Sequence, residues 1–395
     1  MTVQDTLQAV RAHEDEFIAL RRDIHQHPEL PFEELRTSDL VAARLRDWGY
    51  HVERGLGGTG VVGQLKRGDG TRTLGLRADM DALPIQEATG LQYASRNQGV
   101  MHACGHDGHT AMLLAAAKVL AEQGDFSGTL NLIFQPAEEY GTSDCGAVRM
   151  INDGLFDKYP CDAIFSMHNM PGWPQGHLIF REGPMMASSD KVYITLVGHG
   201  GHGAVPHKAA DPVVAAASLV MALQTVVSRN VDPLQTAVVT VGVLQSGRAN
   251  NVIPDSAHLE LSVRALDPEV RSLLQQRITE IVHAQAQCFG VKAEIDYRRG
   301  YAALINSKDE TDFARQIGTE LVGAERVVPQ APPLTGSEDF AFMLEKRPGC
   351  YLLIGNGDGD KLGACMVHNP GYDFNDANLA IGAAYWVLLA RRYLA

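Results

Sequence analysis

The sequence has no C-x-x-C pair among its 6 Cys. In a chain of 395 residues that pattern reads as reduced, mostly buried thiols rather than a disulfide framework. No apolar run approaches the roughly 18 residues of a membrane span. The opening MTVQDTLQAVRAHEDEFIALRRDIHQHPEL has no apolar core of signal-peptide length, so a cytoplasmic location is expected. Positive charge is also short. There are 34 Lys and Arg against 47 Asp and Glu, a formal net charge of −13. That balance argues against nucleic acid, which needs a basic stripe over its phosphates, and against anionic membranes. Gly57-Gly58-Thr59-Gly60 lacks the G-K-[ST] ending of a phosphate loop, and there is no G-x-S-x-G nucleophile elbow.

What is present is an ordinary globular mix, 45% hydrophobic and 21% charged, at a length that suggests two domains. Residues 5–22 and 33–48 read as helices parted by His27-Pro28-Glu29-Leu30-Pro31, because prolines so placed break a helix. A Gly-rich turn over 55–60 leads into a strand at 61–66. Short apolar runs at 74–78, 129–134 and 162–167 read as buried strands, and 108–123 as a helix. Strands alternating with helices predict an α/β fold, with ligands beyond the carboxyl ends of the strands. The pattern changes near Ser188. Strands at 191–197, 236–244, 257–264 and 291–297 alternate with helices opened by Asp211-Pro212 and Asp267-Pro268, with Asp as N-cap and Pro at the first helical position. That is β-α-β-β-α-β, the order of a ferredoxin-like sandwich. Residues 188–299 are therefore expected as a domain inserted into a second one made of 1–187 and 300–395.

The densest chemistry is Met101-His102-Ala103-Cys104-Gly105-His106-Asp107-Gly108-His109-Thr110. A Cys and a His two apart, just before a helix, turn two soft ligands toward one metal. The plain alternative is Asp107 capping a helix beside incidental His. Glu138-Glu139 puts two carboxylates together at a strand end, where they repel unless a cation or proton separates them; one can ligate while the other serves as base. By itself the pair also fits a solvated surface. His168 after a strand, and His368 in a C-terminal turn, add two more imidazoles. Five ligands (Cys104, His106, Glu139, His168 and His368) exceed one tetrahedral ion and suit two ions with a shared ligand. Asp79-Met80-Asp81 ends a strand, where Asp81 can orient a ligand His. In the insert, His199, His202 and His207 lie among glycines, as in a close-approach loop or an exposed turn. Asn251 and Arg264 are suited to a carboxylate. Ser337 in Gly336-Ser337-Glu338-Asp339-Phe340 offers a donor or a helix cap.

The ordered motifs RRDIHQHPEL, LRADMDALP, HACGHDGHTA, FQPAEE, MHN, GGHGAVPH, NNVIPD, GSEDF and HNPGYDFND resemble those of the hippurate hydrolase-like amidohydrolases. These form the Cys-containing branch of the aminoacylase/carboxypeptidase family of dinuclear metallohydrolases, which also holds the plant auxin-conjugate hydrolases. The resemblance implies an α/β catalytic domain carrying two divalent ions, Mn2+ or Zn2+, with an inserted lid that dimerises. It implies Cys104, His106, Glu139, His168 and His368 as ligands and Glu138 as general base. It implies His202 as a lid His that reaches an active site, in relatives that of the partner subunit. It places Asn251, Arg264 and, on the catalytic-domain side, Ser337 at the substrate carboxylate. The implied activity is hydrolysis of N-acyl amino acids in a homodimer. A dipeptidase or carboxypeptidase on the same scaffold, a non-catalytic conjugate-binding protein and a hydrolase with Cys104 as nucleophile are the alternatives. Two departures stand out. Carboxypeptidase branches place His where this chain has Asp79, and this branch carries Lys where this chain has His199.

Overall fold

The computed structural model describes residues 2–395, and the chain falls into two compact units. One holds the residues up to Gly183, with Ile305–Pro332 and Asp339–Ala395; the other holds Pro184–Leu304 and Pro333–Glu338.

The first unit is built on an eight-stranded sheet. Its central strands Gly128–Gln135, Thr73–Asp79, Ala163–Pro171 and Gly349–Gly357 run parallel in that order. They are buried along almost their whole length, the pattern of parallel strands covered on both faces. On one flank, the hairpin of His51–Leu56 and Gly60–Arg67 adds antiparallel to Gly128–Gln135. His51–Leu56 (HVERGL) is largely solvated and carries no apolar run, so the sequence reading has no strand there, only the Gly-rich turn from Gly55. The helix His106–Gln123 is rich in Ala, Leu and Val around its middle and is buried from His106 to Leu120 except at Lys118. The C-terminal helix Asn378–Tyr393 packs so closely on it that a Cβ at Gly382 would overlap Met112.

The predicted helix over 5–22 is instead two helices, Val3–Arg11 and Glu14–Gln26. No Pro or Gly divides them. Arg11 ends the first and Glu14, Asp15 and Glu16 begin the second, each charge placed to suit its own helix dipole. The strand through His168 also runs on to Pro171, held by pairing with Gly349–Gly357, so His168 sits within a strand rather than after it.

The second unit has the strand order 237–246, 256–265, 190–197, 292–299, all antiparallel. The helices Pro212–Asn230 and Pro268–Cys288 accompany it. Asp211 and Asp267 cap these helices, accepting from Val213 N–H (2.8 Å) and Glu269 N–H (2.7 Å). Pro212–Asn230 is long and apolar enough for a membrane span by composition, with a mean hydropathy of 1.4. Its Ala215, Ala216, Leu219, Leu223 and Val226 nevertheless pack in this unit's core. Residues 333–338 join the unit because Leu334 exchanges backbone bonds with Met185 and Ala187 (2.9 and 3.1 Å). Ser337 therefore stands with the inserted unit, and not on the catalytic-domain side as expected.

One buried ion pair anchors this unit. Asp190, at 1% exposure, accepts from Arg271 Nη2 (2.6 Å), Tyr297 Oη (3.0 Å) and Gly300 N–H (3.2 Å). Removing one partner of a buried pair strands the other charge. Asp190→Ala should therefore destabilise the unit by about 3–5 kcal/mol, read as a lowered urea midpoint; a midpoint unchanged from wild type would contradict this.

Candidate metal centre

The carboxyl ends of the parallel strands bring six residues of the first unit together. Cys104 and His106 flank the start of the buried helix, Glu138 and Glu139 follow strand Gly128–Gln135, His168 lies in strand Ala163–Pro171, and His368 lies in a C-terminal turn. Ligand atoms lie mutually within 4.8 Å in three overlapping triples: Cys104, His106 and His168; His106, Glu138 and Glu139; Cys104, Glu139 and His368. The overlaps make one continuous cluster.

The backbone is bent to achieve this. Gly105 has φ +89°, and a Cβ there would collide with Asn169 and Tyr372, so the turn between Cys104 and His106 demands glycine. Ala137 (φ 52°) and His368 (φ 64°) are non-glycine residues in the left-handed region, where such conformations cost of order 1–3 kcal/mol. His368 is held by its N–H on Ala103 O (2.7 Å).

Each imidazole has one nitrogen committed. His106 Nδ1 donates to Asp81, at the carbonyl (2.9 Å) and at Oδ1 (3.2 Å). The other oxygen of Asp81 accepts from Glu139 N–H (2.8 Å). His168 Nδ1 donates to Asn169 O (2.5 Å), which turns its Nε2 to 3.3 Å from Cys104 Sγ. His368 Nε2 is 2.9 Å from Glu139 Oε1.

Electrostatics shows what is missing. Burial pushes the Cys104 thiol well up, and the nearby charges of Glu139, Glu138 and Asp79 push it further. Burial would lower His106, but Asp79, Asp81 and Glu139 outweigh it and hold the ring up to about 10. Burial and the neighbouring His109 and His106 keep His168 well below its usual range, hence neutral. The cluster is thus short of positive charge. His106 Nε2 is buried and makes no hydrogen bond; the nearby Asp79 Oδ2 is 3.8 Å away. An orphaned imidazole nitrogen amid thiol, imidazole and carboxylate donors fits divalent metal.

A family model described as Peptidase family M20/M25/M40 matches residues 75–392. The chain belongs to that family. It is 47% identical to the hippurate hydrolase of Campylobacter jejuni, across 96% of this chain and 97% of that protein. It is 39% identical to the N-acetyl-L-cysteine deacetylase of Bacillus subtilis, across 95% and 87%. A solved Bacillus subtilis structure described as a dinuclear metal binding peptidase from the M20 family superposes with a TM-score of 0.83 at 32% identity, covering 97% of this chain and 99% of that one. This M20-family chain is a metal-dependent amide hydrolase.

Support around the cluster comes from residues of the same motifs to which the sequence assigns no role. His109 donates from Nδ1 to Asp79 Oδ1 (2.6 Å), and its Nε2 accepts from Asn169 N–H (2.9 Å). Asp79 is also paired with the buried Arg77 (2.6 Å). The spacing of His106 and His109, three apart on one helical face, was the available clue. Asp107, next to His106, forms a buried ion pair with Arg21 (Nε to Oδ2, 2.9 Å) and accepts from His25 Nδ1 (2.8 Å); the four-residue step from Arg21 to His25 was the corresponding clue.

The remaining predicted residues lie in the second unit. His202 is exposed and its Nδ1 accepts from Ala204 N–H (3.0 Å), which puts the proton of the neutral ring on Nε2. Asn251 and His202 are joined through Gly203 N–H on Asn251 O (2.8 Å) and the pairing of Val252 with His202. Arg264 Nη1 donates to Ser337 Oγ (3.3 Å). His199 holds the loop ends through mutual backbone bonds with Ala210 (3.0 and 2.9 Å), and the residue is exposed.

Were Cys104 and His106 to ligate a divalent ion, each would have to give up a proton, because burial and the neighbouring carboxylates hold the thiol up and the carboxylates hold the ring up to about 10. Apparent affinity for a divalent ion should therefore rise about tenfold or more per pH unit between pH 6 and 8, measured with an indicator calibrated at each pH. Affinity independent of pH would contradict that assignment. Cys104→Ala should lower bound metal in elemental analysis, and unchanged stoichiometry would remove Cys104 from the ligand set.

Proposed function

We propose that the chain hydrolyses the amide bond of N-acyl amino acids, releasing a carboxylic acid and a free amino acid. The buried, cation-deficient cluster around His106 Nε2 carries this reading, together with relatives described as a hippurate hydrolase and an N-acetyl-L-cysteine deacetylase. Cys104, His106, Glu139, His168 and His368 would hold two divalent ions, manganese or zinc, with Asp81 orienting His106 and Glu139. When bound, such ions supply Lewis acidity toward the amide carbonyl and lower the pKa of water.

Glu138 takes the proton from the attacking water and passes it to the leaving amine. It is 6% exposed and adjoins Glu139, so the two carboxylates divide into base and ligand. His202 donates from Nε2 to the developing oxyanion; the proton position set by Ala204 supports this. Asn251, Arg264 and Ser337 hold the free carboxylate of the substrate. Burial lowers the Arg264 pKa, yet an arginine remains charged, and its bond to Ser337 presents both groups together.

The active form is proposed to be a homodimer. Helix Pro212–Asn230 exposes Val213, Val214 and Met221 (44%, 50% and 71%). Strand Ala237–Ser246 lies at an open end of its sheet. An apolar face on one element and an open strand edge on another suit a second copy of the same chain. All six cysteines are free, which suits a reducing cytoplasm.

Glu138→Gln should keep its metal and lower kcat by about 10²–10⁴-fold; near-normal kcat would remove Glu138 as the base. An inactive His202 mutant mixed with the inactive Glu138 mutant should regain activity after subunit exchange, and no recovery with exchange confirmed would place each site within one chain. Across N-benzoylglycine, N-acetyl amino acids and dipeptides, kcat/KM should favour the acyl amino acids. Preference for dipeptides would make the chain a dipeptidase.

A further inference from the structure

We propose that Glu34 is a positioning residue that fixes the turn presenting Glu138. The proposal rests on Glu138 acting as the base.

Glu34 is fully buried and its carboxylate ties three separate segments. Oε1 accepts from Ala137 N–H (2.8 Å) and from Phe32 N–H (3.0 Å), and Oε2 accepts from Thr59 Oγ1 (2.5 Å). Ala137 immediately precedes Glu138 and is left-handed (φ 52°, ψ 45°). Phe32 is also left-handed (φ 67°). One carboxylate oxygen thus binds the amides of two of the three non-glycine residues with positive φ among those described. A left-handed alanine persists only where its surroundings over-determine it, and on the amide side of Ala137 the partner is Glu34.

The next residue of the turn after Glu138 has an anchor of its own. The Glu139 amide is fixed by Asp81 Oδ2 (2.8 Å), and its carboxylate meets His368 (2.9 Å). Glu138 sits between the two backbone anchors, Ala137 N–H on Glu34 and Glu139 N–H on Asp81. Loss of the first anchor frees the peptide before Ala137, so the left-handed turn leading into Glu138 loosens at its start, while Ala137 O keeps Gly146 N–H (3.2 Å) and Glu139 N–H keeps Asp81. The proton-transferring carboxylate then loses its aim, and the ligand set is kept. The Phe32–Pro31 side of the same anchor belongs to a segment whose Glu29 O accepts from Ala82 N–H (2.8 Å), the residue after Asp81. The 29–34 segment therefore braces both turns that carry Asp81 and Glu138.

The test is a set of variants of the full-length enzyme, each checked for metal content and thermal midpoint. Glu34→Ala should lower kcat about tenfold or more, with KM within threefold and metal content unchanged. Glu34→Gln should restore kcat to within about threefold, because its Oε1 accepts from both amides and its Nε2 faces Thr59 Oγ1. In a Glu138→Gln background, Glu34→Ala should cost nothing further, since a residue acting through Glu138 has nothing left to position. Wild-type kcat in Glu34→Ala, a Gln variant as impaired as the Ala variant, or an additive loss in the double mutant would each overturn the proposal. If Glu34→Ala does not fold, the shorter Glu34→Asp takes its place with the same expected and contrary outcomes. Wild-type kcat in Glu138→Gln alone would overturn the reading on which the proposal rests, and is a separate result.

Discussion

The first unit is organised by a surplus of buried acceptors around His106. Asp79, Asp81, Glu138, Glu139 and Cys104 converge where little water reaches, and the charge balance among them is incomplete without a cation. Buried carboxylates normally take up protons or find partners. Here the partners are partly supplied: Arg77 on Asp79, His109 on Asp79, and the amide of Glu139 on Asp81. His106 Nε2 makes no hydrogen bond, with only Asp79 Oδ2 at 3.8 Å. The left-handed turns at Gly105, Ala137 and His368 follow from the same constraint, because regular helix or strand would not turn the neighbouring side chains onto one point.

Asp81 shows how the constraint is met locally. Its carbonyl and one carboxylate oxygen fix the His106 ring, and its other oxygen fixes the backbone of Glu139. One side chain thereby sets the relative placement of groups from a helix start and a strand end. A ligand held this way loses little freedom on binding an ion, which is the reason outer partners tune metal affinity so strongly. A different arrangement supports the far side of the buried helix, where Arg21 and His25 close on Asp107.

Much of this was legible in the sequence, for physical reasons. Cys104, His106, Glu138 and Glu139 lie in short motifs at the ends of apolar runs, and parallel strands place such ends together. The βαββαβ order of the insert was legible because Asp-Pro caps and alternating strands are local signals. The Glu34–Ala137 contact was not legible, since it joins residues remote in the chain with no distinctive local spacing, and the Arg21–Asp107 pair was hinted at only by the four-residue step from Arg21 to His25. The solvated strand His51–Leu56 escaped because an edge strand needs no apolar run. The attachment of Ser337 to the second unit escaped because it depends on backbone bonds between Leu334 and the 185–187 segment, to which side-chain patterning is blind.

The most direct test of the central claim is a titration of metal-stripped enzyme with Mn2+ and, separately, Zn2+, following bound ion per chain and hydrolysis of N-benzoylglycine in the same samples. The cluster predicts two ions per chain, with hydrolysis absent from the stripped enzyme and restored as the sites fill. Full hydrolysis in the stripped enzyme, or saturation below two ions per chain in fully active protein, would contradict it.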